Sequence, residues 1–173
     1  MRQSILRYFI SLLLVSLCIC SATSIFIISG SMKEDSEREM MYSVKLIEYN
    51  LDYSKDLNTQ IETLNPLAFS DDTRISVIDE KGKVLADTYK NDISSNHLKR
   101  EEVQQALHSS NHEGYAMRRS ETTNQPLLYA AYYKDNHIIR LSIPYSGVWG
   151  YFPELAPAFS ISILISILFS YIV

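Results

Sequence analysis

The sequence predicts an α+β protein in which an antiparallel sheet of about five strands follows a long N-terminal helix, with a transmembrane helix at either end. Two uncharged apolar runs, residues 8–28 and 155–173, lie at the ends of the 173-residue chain. Between them, apolar residues first recur at steps of three and four, as on one face of a helix. Beyond Pro66 they alternate instead, as along strands.

The first run covers 21 positions, which at about 1.5 Å per residue is roughly 31 Å of helix, enough to cross a hydrocarbon core. Arg2 and Arg7 precede it, whereas Lys33, Glu34, Asp35, Glu37, Arg38 and Glu39 follow, so the basic-only flank belongs in the cytoplasm. Residues 1–7 are therefore expected inside and 8–29 as the first transmembrane helix. Ala22-Thr23-Ser24 offers the small residues of a cleavable secretory signal, but the apolar run continues through Ile25, Phe26, Ile27 and Ile28, which favours a retained anchor. The second run is 19 residues long and is introduced by Pro153 and Pro157, where a helix can begin, so residues 153–173 are expected as the second transmembrane helix. No Lys or Arg follows Val173, a pattern that fits the front part of a longer protein. Ser162, Ser166 and Ser170 fall on one helix face, where they suit either close packing of two helices or bonding back to their own helix carbonyls.

Residues 31–154 carry 14 Lys and Arg against all 20 Asp and Glu, a net −6. An acidic surface near lipid can gather divalent cations, but its commoner meaning is a solvated face. The basic residues form no stripe, which argues against nucleic acid as a partner. Gly30, Gly82, Gly114, Gly147 and Gly150 are too scattered for a phosphate-cradling loop. Cys18 and Cys20 both lie in the first apolar run, so the remainder must fold without disulfides.

Met40, Val44, Ile47 and Leu51, then Leu57, Ile61 and Leu64, form a helical stripe with one step of six near Ser54, where a break or shift is expected. No proline intervenes before Pro66, so the first membrane helix should run outward through Gly30 with little or no break. Strands are expected at 74–79 and 84–87, joined by a turn at Gly82, and at 114–119, 126–134 and 137–143, the last two joined by Asp135-Asn136. A short helix is expected over 98–107. Ile139, Leu141 and Ile143 share one face of the final strand, so Arg140 points the other way.

Arg74-Ile75-Ser76-Val77-Ile78-Asp79, Gly82, Val84-Leu85-Ala86-Asp87, Asn96-His97, Arg100-Glu101-Glu102-Val103 with Ala106-Leu107, and Leu128-Tyr129-Ala130-Ala131 together resemble a known module. They look like the extracytoplasmic PAS-like sensor of bacterial two-component histidine kinases, of the phosphate-regulon and cell-wall-regulating type. The resemblance covers about residues 5–173. It implies a PAS-like sheet within residues 30–152, a two-pass protein of the bacterial plasma membrane, and a homodimer. ATP and Mg, and a response regulator as partner, are implied only for cytoplasmic kinase domains missing from this chain. The same resemblance implies that Asn96, His97 and Arg100 pin the loop after the second strand onto the sheet. Neither His108-Ser109-Ser110 nor His112-Glu113-Gly114-Tyr115 matches the family's phospho-acceptor box, a histidine followed by an acidic residue and a basic-Thr-Pro stretch. No catalytic residue and no cofactor is therefore expected here.

Tyr129 and Tyr132, with Tyr115 and Arg119 on the preceding strand, are the candidate signal-binding residues: tyrosine joins an apolar ring to a polar tip, and arginine clamps a carboxylate or phosphate at two points. Core packing explains the same tyrosines without a ligand. His108 and His112 have the spacing of ligands on one helix face, but Ser109-Ser110-Asn111 between them ends helices, so no metal is expected. Asp71-Asp72 and Glu101-Glu102 read as a cap and a solvated face. Nothing resembles a nucleophile elbow or zinc-protease helix. The expected function is signal sensing and membrane anchoring for a histidine kinase. The alternatives are the same sensor on a chemoreceptor rod or cyclic-dinucleotide enzyme, or a complete two-span accessory protein that binds a partner kinase or transporter.

Overall fold

A computed structural model describes residues 2–68, 72–89, 96–120 and 124–172. The chain divides into two compact units, Asp35–Tyr145 and Met1–Glu34 with Ser146–Val173. Helix α1 (Arg2–Asn50) is unbroken and contributes to both, so the expected continuation through Gly30 is observed.

In the unit Asp35–Tyr145, β1 (Arg74–Asp79), β2 (Val84–Asp87), β3 (Glu113–Arg119), β4 (Pro126–Lys134) and β5 (His137–Pro144) form one antiparallel sheet in the order β2-β1-β5-β4-β3. The expected strands are all present, β3 starting one residue earlier and β5 ending one later. Alternation splits the side chains between two faces. Ile75, Val77, Leu128, Ala130, Ile139, Leu141 and Ile143 pack with Met40, Met41, Val44 and Ile47 of α1 and Ile61 of α2 (Leu57–Leu64). The opposite face places Ile78, Val84, Ala131 and Ile138 against Val103 and Ala106 of α3 (Glu101–His108).

The step of six in the apolar stripe has a polar cause. Helix α1 stops at Asn50, and the carboxylate of Asp52 accepts from the Ser54 amide at 3.0 Å and its hydroxyl at 2.6 Å. Gln60 then ties this turn down, donating to the Asp52 carbonyl and accepting from its amide, both at 2.8 Å. Asp56 caps α2 by accepting from the Thr59 amide at 2.9 Å.

The turns match their residues. Gly82 sits at φ +82°, and Asp79 accepts from the amides of Lys81 and Lys83 to close the β1–β2 turn. Asp135 and Asn136 both have positive φ, 48° and 64°, the conformation a two-residue hairpin requires. The β1–β2 pairing shifts register between Val77 and Ile78, so Leu85 is an extra residue, Ala86 joins one core and Val84 the other. Helix α3 begins at Glu101, three residues later than expected, because the Asn96 side chain takes the Leu98 amide at 2.9 Å and Gln104 takes the Leu98 carbonyl at 2.7 Å. At Gly114 the backbone of β3 lies directly against that of α3, where a Cβ would collide with the Glu102 carbonyl.

In the other unit, a 3-10 turn (Gly147–Tyr151) leads into α4 (Phe152–Ile172). The helix thus begins just ahead of Pro153, with Pro157 inside it rather than at its start. Among the described residues one helix, α1, is long and apolar enough to cross a membrane, and Phe9, Leu12, Leu17 and Phe26 on it are exposed. The Ser162 hydroxyl donates to the Ala158 carbonyl at 2.9 Å, whereas the side chains of Ser166 and Ser170 lie outside the described residues.

Leu141 is fully buried at the centre of the larger core. Leu141→Ala should lower unfolding free energy by about 2–5 kcal/mol, read by urea denaturation of the full chain in detergent; no shift would mean that this face is not a packed core.

Candidate functional site

The sheet face under α3 carries a cluster of charges beside its smaller apolar core. Because Ile75, Val77, Ile139 and Leu141 face α1, alternation sends Arg74 and Ser76 of β1 and Arg140 and Ser142 of β5 toward the other side. Tyr129 of β4 pairs with Ser142 and with Ala116 of β3, which places Tyr129 and Arg118 on that side too. Ser76, Asp87, His97, Glu102, Arg140 and Ser142 are all buried there.

Two carboxylates organise three guanidiniums. Arg118 grips Glu102 through Nη1–Oε2 at 2.6 Å and Nη2–Oε1 at 2.9 Å, a two-point pair of the stronger kind. Arg74 donates to Asp87 from Nε and Nη2, each at 2.9 Å, and the Ser76 hydroxyl adds a third bond to Asp87 at 2.7 Å. Arg140 lies between these pairs, with Nη1 at 3.6 Å from Glu102 Oε1 and Nη2 at 3.5 Å from the Ser76 hydroxyl. The same Nη1 is 2.7 Å from His97 Nδ1. A guanidinium only donates, so Nδ1 must accept and the imidazole proton sits on Nε2. Arg118 stacks 3.6 Å above the Tyr129 ring and Arg140 lies 5.4 Å from it, so one aromatic ring is flanked by two cations.

Burial pushes the Glu102 carboxyl up, but the hydrogen bond and charge of Arg118 outweigh it and hold the group below its ordinary value. Burial pulls the Arg140 guanidinium down to about 10, with Glu102 opposing that shift and Arg74 and Arg118 reinforcing it. Arg140 therefore stays charged at neutral pH.

The structure does not bring the four expected signal-binding residues together. Tyr115 and Tyr132 lie on the α1 side of the sheet, where the Tyr115 hydroxyl donates to Glu113 at 3.1 Å and Lys45 of α1 sits 5.2 Å over the Tyr132 ring and 2.6 Å from Glu113. Tyr129 is on the opposite side. Arg119 donates to the Asn124 carbonyl at 3.0 Å, and it is its neighbour Arg118 that stacks on Tyr129. Glu102, expected on a solvated face, is fully buried while Glu101 is exposed, because neighbours on a helix point about 100° apart. Asp72 is exposed, and Asp71 lies outside the described residues.

Asn96 and His97 attach the chain after β2 to the β1–β2 turn. Asn96 donates to the Lys81 carbonyl at 2.9 Å, the His97 amide donates to the Gly82 carbonyl at 2.7 Å, and the His97 ring then reaches Arg140 of β5. Arg100 is the N-cap of α3, and its amide donates to the His97 carbonyl at 3.0 Å. His108 closes α3, bonded to the Gln104 carbonyl at 2.8 Å, and His112 beyond it has φ +59°.

No protein-family model matches the chain, and no curated protein matches its sequence. Solved structures share its fold. The *Bacillus subtilis* YkuI protein, which has an EAL domain and was solved with c-di-GMP and calcium, aligns at TM-score 0.51 and 16% identity over 77% of this chain and 37% of its own. The ligand-binding domain of the *Campylobacter jejuni* chemoreceptor Tlp3, in complex with L-norvaline, aligns at TM-score 0.50 and 17% identity over 75% of this chain and 59% of its own. This chain thus spans about a third of the one and somewhat over half of the other. Its fold is that of sensor domains in bacterial signalling proteins.

Glu102→Gln should destabilise the protein by about 3–5 kcal/mol, because it leaves buried guanidiniums without their carboxylate. The native carboxyl lies below its ordinary value of 4.5, so its stabilising contribution is full above that pH and is lost as pH falls through the folded-state value. Urea titrations at stepped pH should show this acid-side loss in the native chain and a smaller one in the variant.

Proposed function

We propose that the chain is the PAS-like sensor region of a two-component histidine kinase, anchored in the bacterial plasma membrane by α1 and α4 and acting as a homodimer. Residues 1–7 lie in the cytoplasm and about 30–152 outside. The observation that carries this reading is the unbroken α1: the uncharged run of residues 8–28 and the core residues Met40, Val44 and Ile47 belong to one helix. A helix without a hinge transmits shift, tilt or rotation along its length. A signal that binds one packing arrangement better than another moves the output equilibrium by that difference in affinity.

The α3 side of the sheet is the place for signal reading in this proposal. Arg118 and Arg140 flank Tyr129, and the buried Arg140 Nε has no hydrogen-bond partner among the described residues. Kinase specificity rests on the ordered motifs from Arg74 to Ala131, and ATP, Mg and the response regulator belong to cytoplasmic domains. A second reading, the same sensor on a chemoreceptor rod or cyclic-dinucleotide enzyme, draws on the fold shared with Tlp3 and with the EAL-containing YkuI.

Reading the coding sequence past Val173 separates the two. A helix with a His-acidic-basic-Thr-Pro box supports the kinase, whereas an EAL-type domain or a methyl-accepting rod moves the assignment to the second reading. Topology has its own test in a chain whose Cys18 and Cys20 are replaced by serine. Lys55→Cys should react with an impermeant maleimide added outside intact cells, and Ser4→Cys should react only after lysis; the reverse pattern would overturn the orientation.

A further inference from the structure

The 3-10 turn ahead of α4 leaves its large aromatic side chains uncovered. Trp149, Tyr151 and Phe152 are 69%, 53% and 56% exposed, and the rings of Trp149 and Phe152 lie 6.4 Å apart, so the group forms a patch and not isolated side chains. Local geometry turns them outward. Gly147 takes φ +56°, and Gly150 packs so closely on Ser146 that a Cβ there would collide with the serine hydroxyl. The turn therefore closes on its small residues and leaves the large ones outside.

What surrounds this patch in the sequence states its partner. Glu154, in the first turn of α4, is the last charged residue, and the 19 residues from Leu155 onward carry none. The aromatic group thus sits where the chain passes from charged to wholly apolar. Indole and phenol rings, with an apolar body and a polar N–H or O–H, favour that boundary in a bilayer, where the headgroups meet the hydrocarbon. Tyr8, 76% exposed, holds the corresponding place at the charged end of the first apolar run.

We propose that Gly147–Phe152 is a lipid-interface collar: Trp149, Tyr151 and Phe152 seat among the headgroups of the outer leaflet and set the depth at which α4 enters the hydrocarbon. This rests on the reading of α4 as a membrane helix, and the collar supplies its fixed point. A helix held at one end by aromatic anchors transmits tilt and rotation to its far end more readily than translation.

Trp149 is the single tryptophan of the chain, so the protein's indole emission reports this site alone. The full chain is reconstituted in phosphatidylcholine vesicles, with quenchers placed at the headgroup, near the methyl ends of the acyl chains, or in the water as iodide. The collar predicts blue-shifted emission, with headgroup quenching about twofold or more above deep quenching, as an interfacial ring requires. Strong iodide quenching with no lipid effect would overturn it, as would strongest quenching at the acyl methyl ends. Protection from every quencher would overturn it in favour of a protein partner or a second copy over the patch. A chain with Trp149→Phe and Phe159→Trp, its reporter inside α4, tells the two failures apart. If that reporter is quenched at the bilayer centre while Trp149 shows no interfacial quenching, the collar fails and the membrane helix stands; if neither responds to lipid quenchers, both fall.

Discussion

The Glu102 carboxylate lies between Arg118 and Arg140 beneath α3, and its burial makes its pairing obligatory. It binds a helix to strands at two separated places in the sheet, β3 through Arg118 and β5 through Arg140. Arg140 in turn holds the His97 ring, and with it the residues just ahead of α3. One side chain thus fixes the helix, the strand ladder and the connecting segment in a common arrangement. Any event that changes the charge near Glu102 must be felt by all three.

The two faces of the sheet divide the work. On the α1 side thirteen buried apolar residues from six elements interlock, and burial of this kind has no preferred direction and little tolerance for empty space. On the α3 side the attachment is made of directional bonds between charged groups, which have discrete partners and can be exchanged for others. The first preserves the connection to α1, and the second can rearrange by trading partners.

Most of the scaffold was legible before any coordinates. Gly82 and Asp135-Asn136 mark turns by backbone need, Ile75 and Val77 of β1 and Ile139, Leu141 and Ile143 of β5 recur at every second residue, and the step of six near Ser54 marks the end of α1. The charged cluster was only half legible. Arg140 between Ile139 and Leu141 already signals a strand covered on both faces, where a charge must find partners. That Arg118 and not Arg119 lies beside Tyr129 was not legible, because residue parity on β3 relative to Tyr129 depends on the cross-strand pairing, here Ala116 with Tyr129, and pairing is not written in either strand alone. Glu102 was misread because adjacent glutamates on a short helix look alike until the helix has a wall to face.

The extra residue at Leu85 has a consequence for how copies of the chain meet one another. β2 is an edge strand of only four residues, and its bulge twists the pairing line away from the flat, regular template that a neighbouring strand would need. An even open edge would invite copies of the chain to polymerise strand on strand. A short, kinked border lets copies crowd without fibrillising.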